Sequence, residues 1–177
     1  MRLLLSEYPE TTALTRYHSD PKNATMLIST WIAMCVRGVM DPIRVLLCNH
    51  HPIVRSGLRL LLEREPGIRV IGEAANSREA VALTEYQRPD VVLLDVKLPH
   101  MTGMRTAREI TAKAAGIGVI FVSEHVDEEY VTEAFKAGAR GYVRADSVQT
   151  DLIRAIGVVG RGGRFVSAGV RSEMLET

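Results

Sequence analysis

The fold is decided by residues 91–99, which have the sequence VVLLDVKLP. Four consecutive apolar residues, two of them β-branched, are typical of a strand that is buried on both faces of a parallel sheet. Asp95 ends this run, and Pro99 then prevents regular strand pairing. Because ligands and chemistry lie at the carboxyl ends of the strands in open α/β sheets, Asp95 is a candidate functional residue. The alternative is a surface-turn aspartate after a core strand, and this stretch alone supports both interpretations equally.

The residues on either side of this stretch alternate between strand and helix patterns. Short apolar runs predict further strands at residues 43–48, 68–73, 117–122 and 141–144. Apolar residues at helical spacing predict helices that begin near residues 52, 76, 104, 127 and 147. Five strands that alternate with five helices predict a parallel sheet with right-handed crossovers, that is, a doubly wound α/β domain.

Several residues at the predicted helix ends have capping character. Asn76, followed by Glu79 three residues later, resembles a capping box that opens the second helix. Ser147 is predicted to cap the fifth helix, whereas Gly138 and Gly160 are predicted to end the fourth and the fifth. These residues place helix boundaries independently of the apolar pattern.

Composition and charge exclude several classes of protein. The 177 residues are 46% hydrophobic and 24% charged, which is typical of a soluble globular domain with a tail. A formal net charge of +1 provides no large electrostatic surface for nucleic acid. Cys35 and Cys48 match neither a disulfide framework nor a zinc ligand set. We interpret Cys48, at the end of an apolar run, as a small buried hydrophobic residue rather than a redox thiol.

Residues 1–42 differ in character from the rest of the chain. Their apolar segment, residues 26–36, is too short to span a bilayer and ends at Arg37. Mixed-charge residues precede it and no small-residue cleavage site follows, which argues against a signal peptide. We expect a disordered or loosely helical extension, or an over-long gene start, because a start at Met40 would leave a complete domain. An interfacial or partner-binding helix is the alternative.

Motifs of known enzyme classes are weak in this sequence. The glycine-rich segment GRGG at residues 160–163 follows a helix instead of a strand, so a helix stop and linker explain it better than a phosphate-binding loop. No Ser/His/Asp set occurs at a spacing typical of hydrolases. We therefore expect no enzymatic activity.

The segment from residue 43 to about residue 170 resembles the receiver domain of response regulators, in particular the NarL/LuxR-type subgroup. The resemblance is carried, in the family's order and spacing, by IRVLL (43–47), HPIVR (51–55), RPDVVLLD (88–95), LP (98–99), MTG (101–103) and GARGY (138–142). It implies a flavodoxin-like sheet of strand order 2-1-3-4-5 with five helices. The implied organisation is an extension at 1–42, a receiver-like domain at 43–162 and a linker or tail at 163–177.

The resemblance also implies a chemistry, phosphoryl transfer from a histidine kinase to an aspartate. That reaction needs a carboxylate nucleophile, a divalent cation that neutralises phosphoryl charge, and a lysine that pairs with the product. In the family a Ser or Thr hydroxyl binds the phosphoryl group and is coupled to the rotamer of an aromatic residue. Asp95 matches the phospho-acceptor position, Ser123 the hydroxyl position and Tyr142 the aromatic switch position.

Other positions depart from the family pattern. Asn49 and His50 replace the usual pair of acidic residues, and Ala145 replaces the usual lysine. Because Mg²⁺ prefers oxygen ligands and is commonly held by carboxylates, we expect no metal site, or at best weak Mg²⁺ binding at Asp95. Arg144 is adjacent to the lost lysine, but strand alternation predicts that it faces the opposite way. We therefore expect a degenerate receiver with weak or absent metal-dependent phosphorylation.

The altered positions suggest a second role for histidine. His50 and Asp95 are expected to lie close together at adjacent strand ends, and a protonated His50 would pair with Asp95 and partly replace the cation. The alternative is that His50 is merely tolerated at a site that no longer binds metal. A transition-metal site would need more ligands than the sequence places there. His51 is expected to help open the first helix, and His100 and His125 are expected to be solvated loop residues.

The main hypothesis is a cytoplasmic, phosphate-independent module of two-component signal transduction that acts through protein contacts. Expected partners are a second copy, a full-length response regulator or a sensor histidine kinase. The expected surfaces are the first and last helices, or the face formed by the fourth helix, fifth strand and fifth helix.

Regulators of this subgroup normally continue into a DNA-binding helix-turn-helix, for which residues 163–177 show no pattern, so we expect either a stand-alone receiver or a truncated regulator. Neither direct nucleic-acid binding nor membrane association is expected. One alternative is a phosphorelay receiver that is slowly phosphorylated on Asp95. Another is a small-molecule sensor whose ligand fills the vacated acidic pocket and stabilises the fold.

Overall fold

The computed structural model describes residues 41–99, 102–124, 127–168 and 170. The expectations for the amino-terminal extension, Cys35, His100 and His125 lie outside the described residues.

The described residues form a six-stranded parallel sheet with helices on both faces. The elements are β1 (Ile43–Cys48), α1 (Pro52–Leu62), β2 (Ile68–Ala74), α2 (Ser77–Gln87), β3 (Val91–Asp95), α3 (Gly103–Lys113), β4 (Gly118–Ser123), α4 (Glu128–Lys136), β5 (Gly141–Arg144), α5 (Val148–Val159) and β6 (Phe165–Val166). The strand order is β2-β1-β3-β4-β5-β6, and each neighbouring pair is parallel. The predicted doubly wound, flavodoxin-like fold is therefore confirmed.

Two hydrophobic cores lie on opposite faces of the sheet. Leu46, Leu94 and Phe121 belong to the core that also contains residues of α2, α3 and α4. Leu47 and Leu93 face the other way, into the core formed with α1 and α5. Because successive side chains of a strand point to opposite faces, β3 must be apolar at every position between its ends. Its apolar residues are at most 2% exposed, which explains the uninterrupted run.

The sixth strand is a difference from the sequence analysis, which predicts five. It lies in the segment expected to be a linker or tail, and its residues pair with Gly141 and Tyr142 of β5. Beyond it, the Ser167 N–H donates to the Tyr142 carbonyl oxygen at 3.0 Å, and the Ser167 hydroxyl accepts from the Arg144 N–H at 3.2 Å. A two-residue strand is too short to produce a recognisable alternation, so the sequence could not reveal it.

The helix ends confirm one capping prediction and correct another. The Asn76 side chain accepts from the Glu79 N–H at 3.0 Å, and the Glu79 carboxylate accepts from the Ala75 N–H at 2.8 Å, so the second helix opens as predicted. The prediction that Ser147 caps α5 is wrong, because its hydroxyl donates to the Asp146 carboxylate at 3.0 Å. A 3-10 turn, Ala145–Ser147, precedes α5 and gives Ser147 a ψ of 10°, away from the extended backbone of a capping residue.

No helix among the described residues combines the length and the apolar character that crossing a bilayer requires.

Cys48 is expected to be inert toward thiol reagents in the folded protein. The side chain is 2% exposed, and burial raises the pKa of its thiol to about 12, an effect that the nearby Asp95 carboxylate reinforces. The thiolate fraction at neutral pH should then be on the order of 1000-fold below that of an ordinary cysteine. In a Cys35→Ser variant, labelling by a thiol-reactive chromogen should be slow in buffer and fast in denaturing urea. Equal rates under the two conditions would contradict this expectation.

Candidate functional site at the carboxyl ends of the strands

The strand register gathers the sequence-predicted positions at one edge of the sheet. Cys48 at the end of β1 pairs with Leu94 of β3, so the residues that follow each strand meet there. Ser123 ends β4, and its partner in the register is Arg144 at the end of β5. The candidate residues are therefore contributed by four neighbouring strands.

Asp95 is held by hydrogen bonds to both of its carboxylate oxygens. The Asn49 side-chain amide donates to Oδ2 and the Lys97 backbone N–H donates to Oδ1, each at 3.0 Å. The Asn49 oxygen Oδ1 accepts from the His51 N–H at 2.8 Å. Because a backbone N–H can only donate, this contact fixes the amide with its NH₂ group toward Asp95. The lone carboxylate is thus satisfied by neutral donors.

His50 lies beside the same carboxylate. Its Nδ1 is 3.3 Å from Oδ2 of Asp95, which is an ion-pair distance if the imidazole is protonated. The contact does not have hydrogen-bond geometry, and this buried nitrogen has no hydrogen-bond partner among the residues that the structure describes. The His50 ring also contacts the His51 ring, with centroids 3.6 Å apart. Pairing of a protonated His50 with Asp95 stays a hypothesis that this proximity permits.

The side chains present do not fit a magnesium site. Mg²⁺ requires oxygen ligands in near-octahedral geometry, but Asn49 presents its amide NH₂ to Asp95 and His50 presents nitrogen. Within the described part of the chain, no group of three or more His, Cys, Asp or Glu side chains could hold a metal ion. We therefore assign no step of this protein's chemistry to a metal.

The two predicted switch positions, Ser123 and Tyr142, lie next to each other in the core. Ser123 is 6% exposed and the Tyr142 side chain is fully buried. Burial raises the pKa of the Tyr142 phenol, and a hydrogen bond with the Ser123 side chain acts in the opposite direction. The Tyr142 ring also packs against Phe121, with centroids 6.3 Å apart. The Tyr142 side chain is therefore turned into the protein and coupled to the Ser123 hydroxyl.

The lysine position carries no cation. Ala145 is exposed and begins the 3-10 turn. The neighbouring Arg144 donates from Nε to Asp146 at 3.1 Å and forms an ion pair with the same carboxylate. The hydrogen bond from Arg144 lowers the pKa of Asp146. The Arg144 guanidinium is thus committed to the turn after β5.

Two contributors to the site were missed by the sequence analysis. The Lys97 backbone N–H that binds Asp95 has no residue-type signal, because any residue other than proline could supply it. Arg55 of α1 donates to the Asn49 carbonyl oxygen at 2.7 Å and to Glu73 of β2 at 3.2 Å. The position of Arg55 soon after the first strand could have suggested that it contacts this edge of the sheet. The sequence gives no indication of which groups accept its hydrogen bonds.

Comparison with known proteins identifies the family. Residues 45–157 match the family model of the response regulator receiver domain. The nitrate/nitrite response regulator protein NarL of Escherichia coli (strain K12) is 34% identical over 127 residues, 72% of this chain and 59% of that protein. The transcriptional regulatory protein DegU of Brevibacillus brevis is 31% identical over 136 residues, 77% of this chain and 58% of that protein. The chain thus spans less than two thirds of the length of these curated relatives.

Solved structures agree with this assignment. A two-component response regulator of the LuxR family from Aurantimonas sp. SI85-9A1 is similar with a TM-score of 0.72 and 35% identity, over 77% of this chain and 97% of that chain. The signal receiver domain of the putative response regulator NarL from Mycobacterium tuberculosis has a TM-score of 0.66 and 30% identity, over 69% of this chain and 98% of that chain. The chain belongs to the response regulator receiver domain family and is of the NarL/LuxR type.

Proposed function

We propose that this chain is a non-enzymatic receiver module of two-component signalling that acts through protein contacts without phosphorylation of Asp95. One observation carries the proposal. The Asn49 amide donates a hydrogen bond to Asp95 at the place where the family has a carboxylate. A hydrogen-bond donor in that place supplies no carboxylate ligand for the divalent cation that phosphoryl transfer to Asp95 would need.

Charge supports the same conclusion. Transfer of a phosphoryl group to a carboxylate brings two anionic groups together. The transition state is stabilised only if positive charge is already held beside them. Ala145 offers none, and Arg144 is held by Asp146. The His50 imidazole lies 3.3 Å from Asp95, and it would have to serve in place of both the metal and the lysine. One imidazole is a poor substitute for both groups.

Intact mass spectrometry after incubation with acetyl phosphate and Mg²⁺ tests the proposal. The wild-type chain should show no phosphate adduct, like an Asp95→Asn control, while circular dichroism confirms that both are folded. A stoichiometric adduct that is present in the wild type and absent from the control would overturn the proposal. It would instead establish the second candidate, a slowly phosphorylated phosphorelay receiver. The buried, hydrogen-bonded Ser123 and Tyr142 pair favours that candidate.

The outer surface of α1 is the contact surface that we assign. Ile53, Val54, Gly57 and Leu60 form an exposed stripe, here called the α1 stripe, in which Ile53 is 82% and Leu60 64% exposed. The arginines of this helix do not interrupt it, because Arg55 and Arg59 both pair with Glu73 of β2.

An uncharged apolar stripe can meet its own copy across a two-fold axis without like-charge repulsion. We therefore propose homodimerisation through the α1 stripe. The receiver of a full-length response regulator, or a sensor histidine kinase, is the heterologous partner to be tested against a second copy.

A double substitution Ile53→Asp and Leu60→Asp should abolish dimers. Four buried carboxylates around one two-fold axis would repel one another and lose their hydration. Analytical ultracentrifugation should give the wild type as a dimer and the variant as a monomer. Tyr86→Asp, which places the same charge on an 86% exposed residue of α2, is the matched control and should remain dimeric. A monomeric wild type, or dissociation by the control alone, would refute the assignment.

A further inference from the structure

A cavity of about 510 Å³ lies beside His50, between the segment that follows β3 and the first turn of α4. Its apolar lining includes Val96, Leu98, Pro99 and Met104. Leu98 and Met104 are only partly buried and rest against the core of α2, α3 and α4. The volume falls within the range of pockets that bind small organic ligands. The cavity therefore offers an apolar surface large enough for the body of such a ligand.

The polar lining of the cavity is biased toward positive charge. His50 and Lys97 can carry a proton, and Thr102 and Tyr130 contribute hydroxyl groups. None of the described residues that line it is acidic. The lining includes the N-cap of α3, Thr102, and the first turn of that helix contains no acidic residue. The positive end of the helix dipole therefore adds to the charge of the two basic side chains.

Among the described residues that line the cavity, a cationic ligand would find no carboxylate. Asp95 is adjacent to His50 but does not line the cavity, and both of its oxygens already accept hydrogen bonds. Glu128 and Glu129 of α4 are exposed and are likewise not among the lining residues. Charge complementarity thus favours an anion.

We infer that this cavity binds a small organic acid whose apolar body packs against Leu98 and Met104 and whose carboxylate pairs with Lys97 and His50. The occupant would be an aromatic or medium-chain aliphatic carboxylate. Such binding goes beyond the protein-contact function, because it would give the module a chemical input that does not require phosphate. It is also independent of that function. Acetyl phosphate tests whether Asp95 is phosphorylated, whereas ligand titration tests whether the cavity binds a carboxylate, and either result can be negative without the other.

Titration with a matched set of naphthalene compounds tests the inference. Naphthalene-2-carboxylate should bind saturably by two-dimensional NMR, with shifts confined to the residues that line the cavity. Naphthalene-2-carboxamide should bind about tenfold more weakly, the effect of losing one charge-assisted hydrogen bond. The amine 2-naphthylmethylamine should bind more weakly still. Absence of saturable binding, equal affinity for all members of the set, or preference for the amine would overturn the inference.

Two variants separate charge from shape. Lys97→Gln keeps the backbone N–H that binds Asp95 and should remove most of the preference for carboxylate over carboxamide. Met104→Trp should fill the cavity and abolish binding of both compounds while circular dichroism shows the fold intact.

Lys113→Gln, which removes a lysine paired with Glu85 and Glu109 on the far end of α3, is the control. Since Lys97 is exposed, its variant remains informative even if Met104→Trp does not fold. An unchanged preference in Lys97→Gln, or an equal loss in the control, would refute the assignment.

Discussion

The triple substitution Asn49→Asp, His50→Asp and Ala145→Lys is expected to make Asp95 a phosphate acceptor. Asn49→Asp replaces the donor now bound to Asp95 Oδ2 by a carboxylate. His50→Asp adds a second carboxylate where an imidazole lies 3.3 Å from the same oxygen. Three carboxylates at one strand edge supply the oxygen ligands that Mg²⁺ prefers, and the lysine supplies the cation that pairs with the product.

The expected readout changes from no adduct in the wild type to a stoichiometric adduct in the triple variant. Mg²⁺ should also raise the melting temperature of the variant but not of the wild type, since three adjacent carboxylates repel one another until a cation binds. Ala145→Lys alone should remain unmodified, because it restores no metal ligand. Adding Asp95→Asn to the triple variant should remove the adduct. A triple variant that folds but binds no Mg²⁺ would show that the substitutions at these positions are not what disables the site.

Gly103→Ala is expected to destabilise the domain by roughly 3 kcal/mol, at the upper end of the range for overpacked interiors. A Cβ atom at Gly103 would lie 2.3 Å from the Asp95 carbonyl oxygen and 2.9 Å from the Val96 Cα. Both neighbours are backbone atoms, so no side-chain rotation can relieve the clash. The Gly103 N–H also donates to the Val96 carbonyl oxygen at 2.9 Å, which ties the start of α3 to the residue after Asp95.

Urea unfolding monitored by circular dichroism measures this effect. Gly157→Ala, in the middle of α5, is the matched control, because a Cβ there would have no heavy atom within 4 Å. Since alanine favours helix over glycine by about 1 kcal/mol, the control should be neutral or slightly stabilising. Similar midpoints for the two variants would show that α3 can move away from β3 at little cost. That result would weaken the view that Asp95 is rigidly positioned.

Much of the fold could be read from residue patterns. The strand at residues 91–95 is apolar at every position before Asp95 because helices cover both of its faces. Such an uninterrupted apolar run can be recognised from one sequence. The positions of Asn49, His50 and Ala145 followed from the family motifs, because those positions are defined by counting from strand ends. Whether the substitutions abolish phosphorylation stays a prediction until the adduct is measured.

Sequence patterns gave a wrong cap and missed a strand where the structure depends on contacts that residue type and periodicity do not specify. Ser147 has the residue type of a helix cap, yet its hydroxyl donates to Asp146 because the preceding 3-10 turn holds its backbone in another conformation. Phe165 and Val166 are too few to show an alternation, and only β5 makes them a strand. In each case the deciding contact comes from outside the pattern that was read.

The sequence by itself determined the layers of this protein, the strand edge where Asp95 lies and the residue types available there, because these depend on periodicity and composition. Only the tertiary structure decided that the Asn49 amide points its NH₂ group at Asp95, that Arg144 is held by Asp146 and that a cavity opens beside His50. The physical reason is that hydrogen-bond direction and ion-pair choice depend on the folded backbone conformation, even between residues two apart, whereas the Asn49–Asp95 contact and the cavity join residues that are distant in the chain.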